Sequence, residues 1–183
     1  RALPRKTLQE IVSDLKNFCQ KFMPDTLMLS RLESEDLYRN IGLPRMLWEE
    51  ENQIRQSLNQ PAASIEEMAA LNAAGVSVEH VLPQNPAFDI TSYGFSDAED
   101  FEGHKHLLGN LLLLEGGLNS ACQNRTVEEK VTAPQLYASS ALVAVKALAA
   151  DRVGKPHGYR KENIERRCKT LGQSLLACWP IQG

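Results

Sequence analysis

The feature that most constrains this chain is a change of texture at Val76. Upstream, Leu8, Ile11, Val12, Leu15, Phe18, Cys19 and Phe22 recur at i, i+3, i+4, i+7 spacing. That spacing predicts an amphipathic helix over 3–22, stopped by Pro24. A shorter helical pattern covers 26–40, and Pro44 opens a third helix running to about Leu58. Ser64-x-x-Glu67 is a capping-box pattern for a fourth helix, ended by Gly75. From Val76 to Leu82 the residues alternate and are rich in β-branched types until Pro83, which reads as a short strand. Residues 83–106 show little periodicity and read as a long loop, a type of segment that is usually functional inside a compact domain. Leu107–Leu114 is an apolar run closed by Gly116-Gly117, read as a second, buried strand. A helical turn from about Leu118 to Gln123, a helix capped by Thr126-x-x-Glu129, and two long helices over 134–152 and 160–178 complete the pattern. The expected fold is mainly α, an α+β chain with a two-stranded insert.

Composition narrows the class. With 183 residues, 43% of them apolar and 23% charged, the chain is long enough to bury a core and is neither disordered nor fibrous. The apolar stretches at Leu107–Leu114 and Ala141–Ala150 fall far short of a membrane span. Cys19, Cys122, Cys168 and Cys178 form no CxxC pair or Cys/His cluster, which argues against a structural zinc site. Cys168 and Cys178 read as buried free thiols in the last helix. With no signal peptide visible, a reducing cytoplasm is the expected compartment. Because the chain begins at Arg1 rather than Met, it is expected to be part of something longer.

Net charge is −3, which by itself argues against a nucleic-acid partner. The mean conceals an uneven distribution. Residues 61–116 carry nine acidic side chains against one basic (Lys105), while 117–183 carry ten basic against five acidic. The expectation is an acidic patch beside a basic one, with salt-sensitive DNA binding by the latter.

The polar chemistry gathers in the insert: His80 ends the first strand, Asn110 lies inside the second, and Asn119 opens the helix that follows. An Asn in an apolar strand is costly unless its carboxamide is hydrogen-bonded.

Val78-Glu79-His80-Val81-Leu82-Pro83-Gln84, then Leu108-Gly109-Asn110-Leu111, then Leu118-Asn119-Ser120 and Asn124-Arg125 resemble one family. It is the carboxy-terminal HNH (His-Me finger) nuclease domain of GmrSD-type modification-dependent restriction enzymes, a group that includes phosphorothioate-sensing SspE-like phage-defence proteins. Ile164-x-x-Arg167 running to Cys178-Trp179-Pro180 is similar to that domain's closing helix, and the resemblance spans roughly 35–180.

The resemblance implies a ββα-metal hairpin and helix at 76–132, packed between a helical part at 1–75 and closing helices at 133–183 of the same domain. It implies His80 as general base, Asn110 orienting its imidazole by a hydrogen bond, and Glu79 and Asn119 as ligands of one Mg²⁺ or Mn²⁺. It further implies an anti-phage DNA endonuclease that nicks one strand at a time. A ParB-like NTPase half, amino-terminal to the domain, would sense the DNA modification. The chemistry is coherent: a His of ordinary pKa near ~6.5 accepts a proton at neutral pH, and hard cations take oxygen ligands. Neighbours in a regular strand point to opposite faces, so Glu79 and His80 can share a site only where the strand twists or ends.

Each residue also has a plainer role. His80 alone reads as a structural histidine, Asn110 as a bulge or turn residue, and Asn119 as a helix cap. Asn124 reads as a helix end, His104 as a solvated loop residue, and His157 as a surface one. His106, four residues before Asn110, and Asn124 are candidate additional site or phosphate-binding residues. Arg125 and Lys130 are candidate phosphate contacts or a solvated helix face, as is the run Arg160, Lys161, Arg166, Arg167, Lys169. Trp48 and Trp179 read as core anchors. The alternative to a nuclease is a catalytically silent HNH-derived domain that binds DNA or a protein partner.

Overall fold

The computed structural model describes residues 6–155 and 157–178. Trp179 and Pro180, the end of the closing motif, lie outside the described residues. Four helices come first: α1 (Leu8–Phe22), α2 (Asp25–Ser34), α3 (Leu43–Ser57) and α4 (Ile65–Ala73). The Thr7/Glu10 capping box starts α1, and Ser64 caps α4. Only half of the expected box forms at Ser64, because Glu67 turns instead to the Arg55 guanidinium (2.5 and 3.0 Å). The helical pattern over 26–40 stops at Ser34, so Tyr38 lies in a turn rather than on a helix. No residue of α1 is buried: Leu8, Leu15, Phe18 and Phe22 are exposed, and nothing among the described residues covers that face.

The two predicted strands form, shorter than the apolar run suggested. β1 (Val76–His80) pairs antiparallel with β2 (Leu111–Glu115), in register from Val76↔Glu115 to His80↔Leu111. One further bond, Val81 N–H to the Asn110 carbonyl (2.9 Å), extends the ladder past the end of β1. Leu108–Asn110 is not strand but a turn of 3₁₀ helix, so Asn110 precedes β2 rather than lying in it.

The connection over 83–106 is also not structureless. It holds a 3₁₀ turn at Ile90–Tyr93 and α5 (Ala98–His104), whose N-cap Asp97 accepts from the Asp100 N–H. A seven-residue helix with Phe101 as its one buried residue is too short to print a period on the sequence.

After β2 come α6 (Gly116–Cys122), α7 (Val127–Thr132), α8 (Val143–Arg152) and α9 (Lys161–Cys178). The helix expected from 134 starts only at Val143. Before it, the chain is drawn to Glu115, whose carboxylate accepts from Ser140 Oγ and the Ala141 N–H (2.8 and 2.5 Å). The first amides of α8 are then satisfied by buried Glu51, from Val143 and Ala144 (2.9 and 2.7 Å).

The core runs from Leu43, Leu47 and Trp48 of α3 through Leu111–Leu114 to Ile164, Cys168, Leu171 and Leu175 of α9. Trp48 is a core anchor, as its type suggests. All four cysteines are free thiols, Cys168 buried as expected but Cys178 exposed.

The sharpest packing is α9 against the Leu108–Asn110 turn. A Cβ on Gly109 would stand 2.0 Å from the Ile164 carbonyl oxygen, so only glycine permits this approach. The Gly109 N–H donates to Cys168 Sγ (3.0 Å), and its carbonyl accepts from Tyr159 Oη and from Arg167 (2.8 Å). Arg167 also reaches the Leu111 carbonyl (2.7 Å) and pairs with Glu50. The turn feeding β2 is thereby fixed from outside the hairpin.

Candidate active site

β1 ends at His80, and the chain turns away through the buried Val81-Leu82-Pro83. A cleft of about 250 Å³ opens at this strand end, lined by both Glu79 and His80, with Tyr38, Asn119 and residues of the connections that follow β1 and α6. Both residues line it where the strand stops.

His80 is 4% exposed. Its Nε2 lies 2.9 Å from Nδ1 of His106, so one imidazole donates to the other. Tyr38 packs its ring edge against His80 (centroids 4.5 Å apart) and stacks on His106 (5.0 Å, planes 6° apart). The Leu37 N–H donates to the His106 carbonyl (3.2 Å), anchoring the turn that carries Tyr38. Burial, then the neighbouring His106 and the ammonium groups of Lys130 and Lys105, push the His80 pKa down to about 3. His80 is therefore a neutral imidazole at physiological pH. The His106 pKa is also lowered, chiefly by burial.

The Asn110 side chain makes no hydrogen bond to the His80 ring, contrary to the expectation that it orients the imidazole directly. Its buried carboxamide is consumed by backbone: Oδ1 accepts from the Leu82 N–H (2.8 Å), and Nδ2 donates to the Leu82 and Lys105 carbonyls (3.0 and 2.8 Å). It ties the exit of β1 to the entry of β2, and the side chain bonded to the imidazole is His106.

Asn119 sits on α6, half-buried, and is not a helix cap. Its Nδ2 donates to Ser77 Oγ (2.8 Å) and to the Val78 carbonyl (3.0 Å), which leaves Oδ1 as an unshared acceptor on a cleft-lining residue. Glu79 is 4% exposed, and both of its bonds fall on Oε1, from Lys130 Nζ (2.7 Å) and Tyr137 Oη (3.1 Å). Burial and this carboxylate hold the Tyr137 phenol well above its usual pKa. They also push the nearby Cys122 thiol up to about 11, an unreactive thiol.

Lys130 is the clearest correction. It has no exposed surface, and its ammonium is fully engaged by Glu79 and the carbonyls of His80 and Val81 (2.7 and 3.1 Å). It braces the end of β1 and cannot meet a DNA phosphate. The carboxy-terminal basic run is likewise broken up, since Arg167 is taken by Glu50 and Lys161 by Asp100 (2.7 Å). Arg125 remains on the surface, bonded to the Ala121 carbonyl (3.2 Å). Asn124 is exposed and lines the cleft. His104 ends α5, bonded to the Asp100 carbonyl (2.7 Å), and His157 is exposed against the Tyr93 ring. Gln84 closes the His80 motif, whereas Tyr38, Tyr137, Asn85 and Gln123 were not marked by sequence reasoning. Only the tertiary contacts bring them to the site, and no local spacing signals them.

Among the described residues, no group of three or more His, Cys, Asp or Glu side chains is arranged to hold a metal ion. What the cleft does offer is one carboxylate, Glu79, beside carboxamide oxygens, that of Asn119 among them. These are hard donors that suit a cation keeping several waters, as Mg²⁺ does.

This hairpin, helix and polar cleft belong to a domain of the restriction-nuclease class. Residues 25–174 match the family of GmrSD restriction endonucleases, C-terminal domain, and the chain belongs to that family. It is accordingly a domain of restriction-endonuclease type, and the match begins at α2, leaving α1 outside it. Searches of the curated proteins and of the solved structures found no match.

Proposed function

We propose that this domain is an HNH-type DNA endonuclease whose strand-end cleft hydrolyses a phosphodiester with His80 as general base. The observation that carries the reading is a neutral, buried imidazole at the end of the hairpin, with Nε2 bonded to His106 and no partner on Nδ1 among the described residues. If His80 Nε2–H donates to His106, Nδ1 keeps a free lone pair and takes the proton from a water attacking phosphorus. Burial disfavours a charged His80, so the Nε2 proton passes to the less buried His106 as Nδ1 is protonated. Asn110 and Lys130 hold the backbone on either side of the base. Glu79 and Asn119 would hold Mg²⁺ or Mn²⁺. Such an ion supplies Lewis-acid stabilisation of the departing 3′ oxygen. A single cleft of this kind nicks one strand per event.

Within a longer modification-sensing anti-phage protein, a ParB-like NTPase region would then select the DNA. This effector domain would add little sequence preference of its own. The domain has no helix among the described residues long and apolar enough to cross a membrane.

The test is relaxation of supercoiled plasmid with Mg²⁺, with Mn²⁺ and with chelator. Nicking should require metal and fall at least about a hundredfold in His80→Ala. Unchanged nicking in that variant would sink the assignment. One observation favours a second reading, a silent DNA-binding domain: the Lys130 ammonium already neutralises the carboxylate a cation would use. Metal-independent gel shifts without cleavage, unchanged in His80→Ala, would establish it.

A further inference from the structure

The lining of the cleft contains no lysine or arginine, and Glu79 is its one carboxylate. Apart from a cation held by Glu79 and Asn119, the donors this lining offers a phosphodiester are neutral, and among them are four carboxamides: Gln84, Asn85, Gln123 and Asn124. None of these four side chains is hydrogen-bonded to the described residues.

Gln123 is distinguished by its backbone. With φ 45° and ψ −133°, and with the Arg125 N–H donating to the Cys122 carbonyl (3.1 Å), it occupies the first corner of a type II′ turn. That corner is glycine's place, because a side chain at positive φ meets its own backbone. Glycine would make the same turn without strain. A residue held in strain at the mouth of a cleft, with no intramolecular bond for its side chain, is what a ligand contact looks like when fold and function compete.

Resting on the nuclease reading above, we infer that Gln123 is a substrate-binding residue whose carboxamide Nε2 donates to a phosphate oxygen of the DNA strand in the cleft. The strained turn presents it there. The contact is neutral, so it adds affinity without releasing counterions.

The experiment compares wild type with Gln123→Ala and Gln123→Gly on labelled duplexes of A·T-rich and G·C-rich sequence. Binding is followed by anisotropy in chelator at several salt concentrations, nicking is measured with Mg²⁺, and each chain is melted. Both variants should weaken Kd and raise KM about tenfold, with kcat within about twofold, on both duplexes alike. Plots of log Kd against log salt should stay parallel to wild type. Gln123→Gly should melt roughly 2–5 °C above wild type while binding worse, a combination no purely structural role produces. Unchanged Kd and KM, or a Gln123→Gly chain that melts lower, overturns the inference. So does a loss confined to one duplex sequence, which would indicate a base contact. A wild-type chain that binds DNA but never nicks would defeat the nuclease reading instead, and the binding arm would still judge Gln123.

Discussion

Lys130 shows how little a residue type reveals before its surroundings are known. In the sequence it follows Glu128 and Glu129 on a short capped helix and reads as a surface cation. In the fold it is enclosed, with a carboxylate and two strand-end carbonyls around its ammonium. Desolvating such a pair offsets much of its attraction, but removing one partner strands a buried charge. Lys130→Met should therefore lose about 3–5 kcal/mol in urea unfolding, while Glu79→Gln with Lys130→Met should lose less than the two single changes added together. Strict additivity would show the two groups to be uncoupled. The same reasoning explains why Glu79 and Asn119 were readable as candidates and Gln123 was not. The first two carry the motif, whereas the third is marked only by a dihedral angle.

At the scale of elements, Leu108-Gly109-Asn110 was conspicuous in the sequence, and its explanation lies in α9. An Asn in an apolar run had to have partners, and it has three, all backbone. The glycine beside it is needed because α9 crosses so close that its Ile164 carbonyl fills the space of a Cβ. Gly109→Ala forces the helix off the turn and should destabilise by about 3 kcal/mol or more, read as a lower urea midpoint at unchanged m-value. Because the turn sets the entry of β2 and carries Asn110, nicking should fall with it. An alanine chain of wild-type stability would contradict the close approach. The strand boundaries and the late start of α8 were not legible, since both depend on side chains distant in sequence: Arg167 for the turn, Glu115 and Glu51 for the loop before α8.

Across the whole molecule, the acidic middle and basic tail are in part paired with each other rather than kept apart. They interleave: Glu79 pairs with Lys130, Asp100 with Lys161, and Glu50, from the charge-balanced first third, with Arg167. Much of the charge that promised DNA binding is thus spent inside the fold. On the proposed reading, the salt dependence of DNA affinity would rest on exposed residues such as Arg39 and Arg125.

Stability should depend on pH through His80. Its folded pKa is about 3, against an ordinary 6.5, so between those values the unfolded chain binds a proton that the folded chain refuses. The associated stability is complete above pH 6.5 and declines as pH falls towards 3, by at most about 1.4 kcal/mol per unit from this group. Urea titrations at pH 7 and pH 5 should show this slope in wild type and a shallower one in His80→Ala. Equal slopes would mean that His80 titrates normally.

The sequence by itself determined the helical class, the two strands, the helix caps and the ordered His80, Asn110 and Asn119 motif. These are local properties, set by periodicity, turn chemistry and hydrogen-bonding capacity over a few residues. Tertiary structure alone decided which groups meet: His106 rather than Asn110 on the imidazole, Lys130 under Glu79, Arg167 on the carbonyls of the turn. Those pairings depend on desolvation and on partners 26 to 58 residues apart along the chain. A residue's charge and hydrogen-bonding capacity are written in its type, but whether water or protein satisfies them is decided when the chain closes on itself.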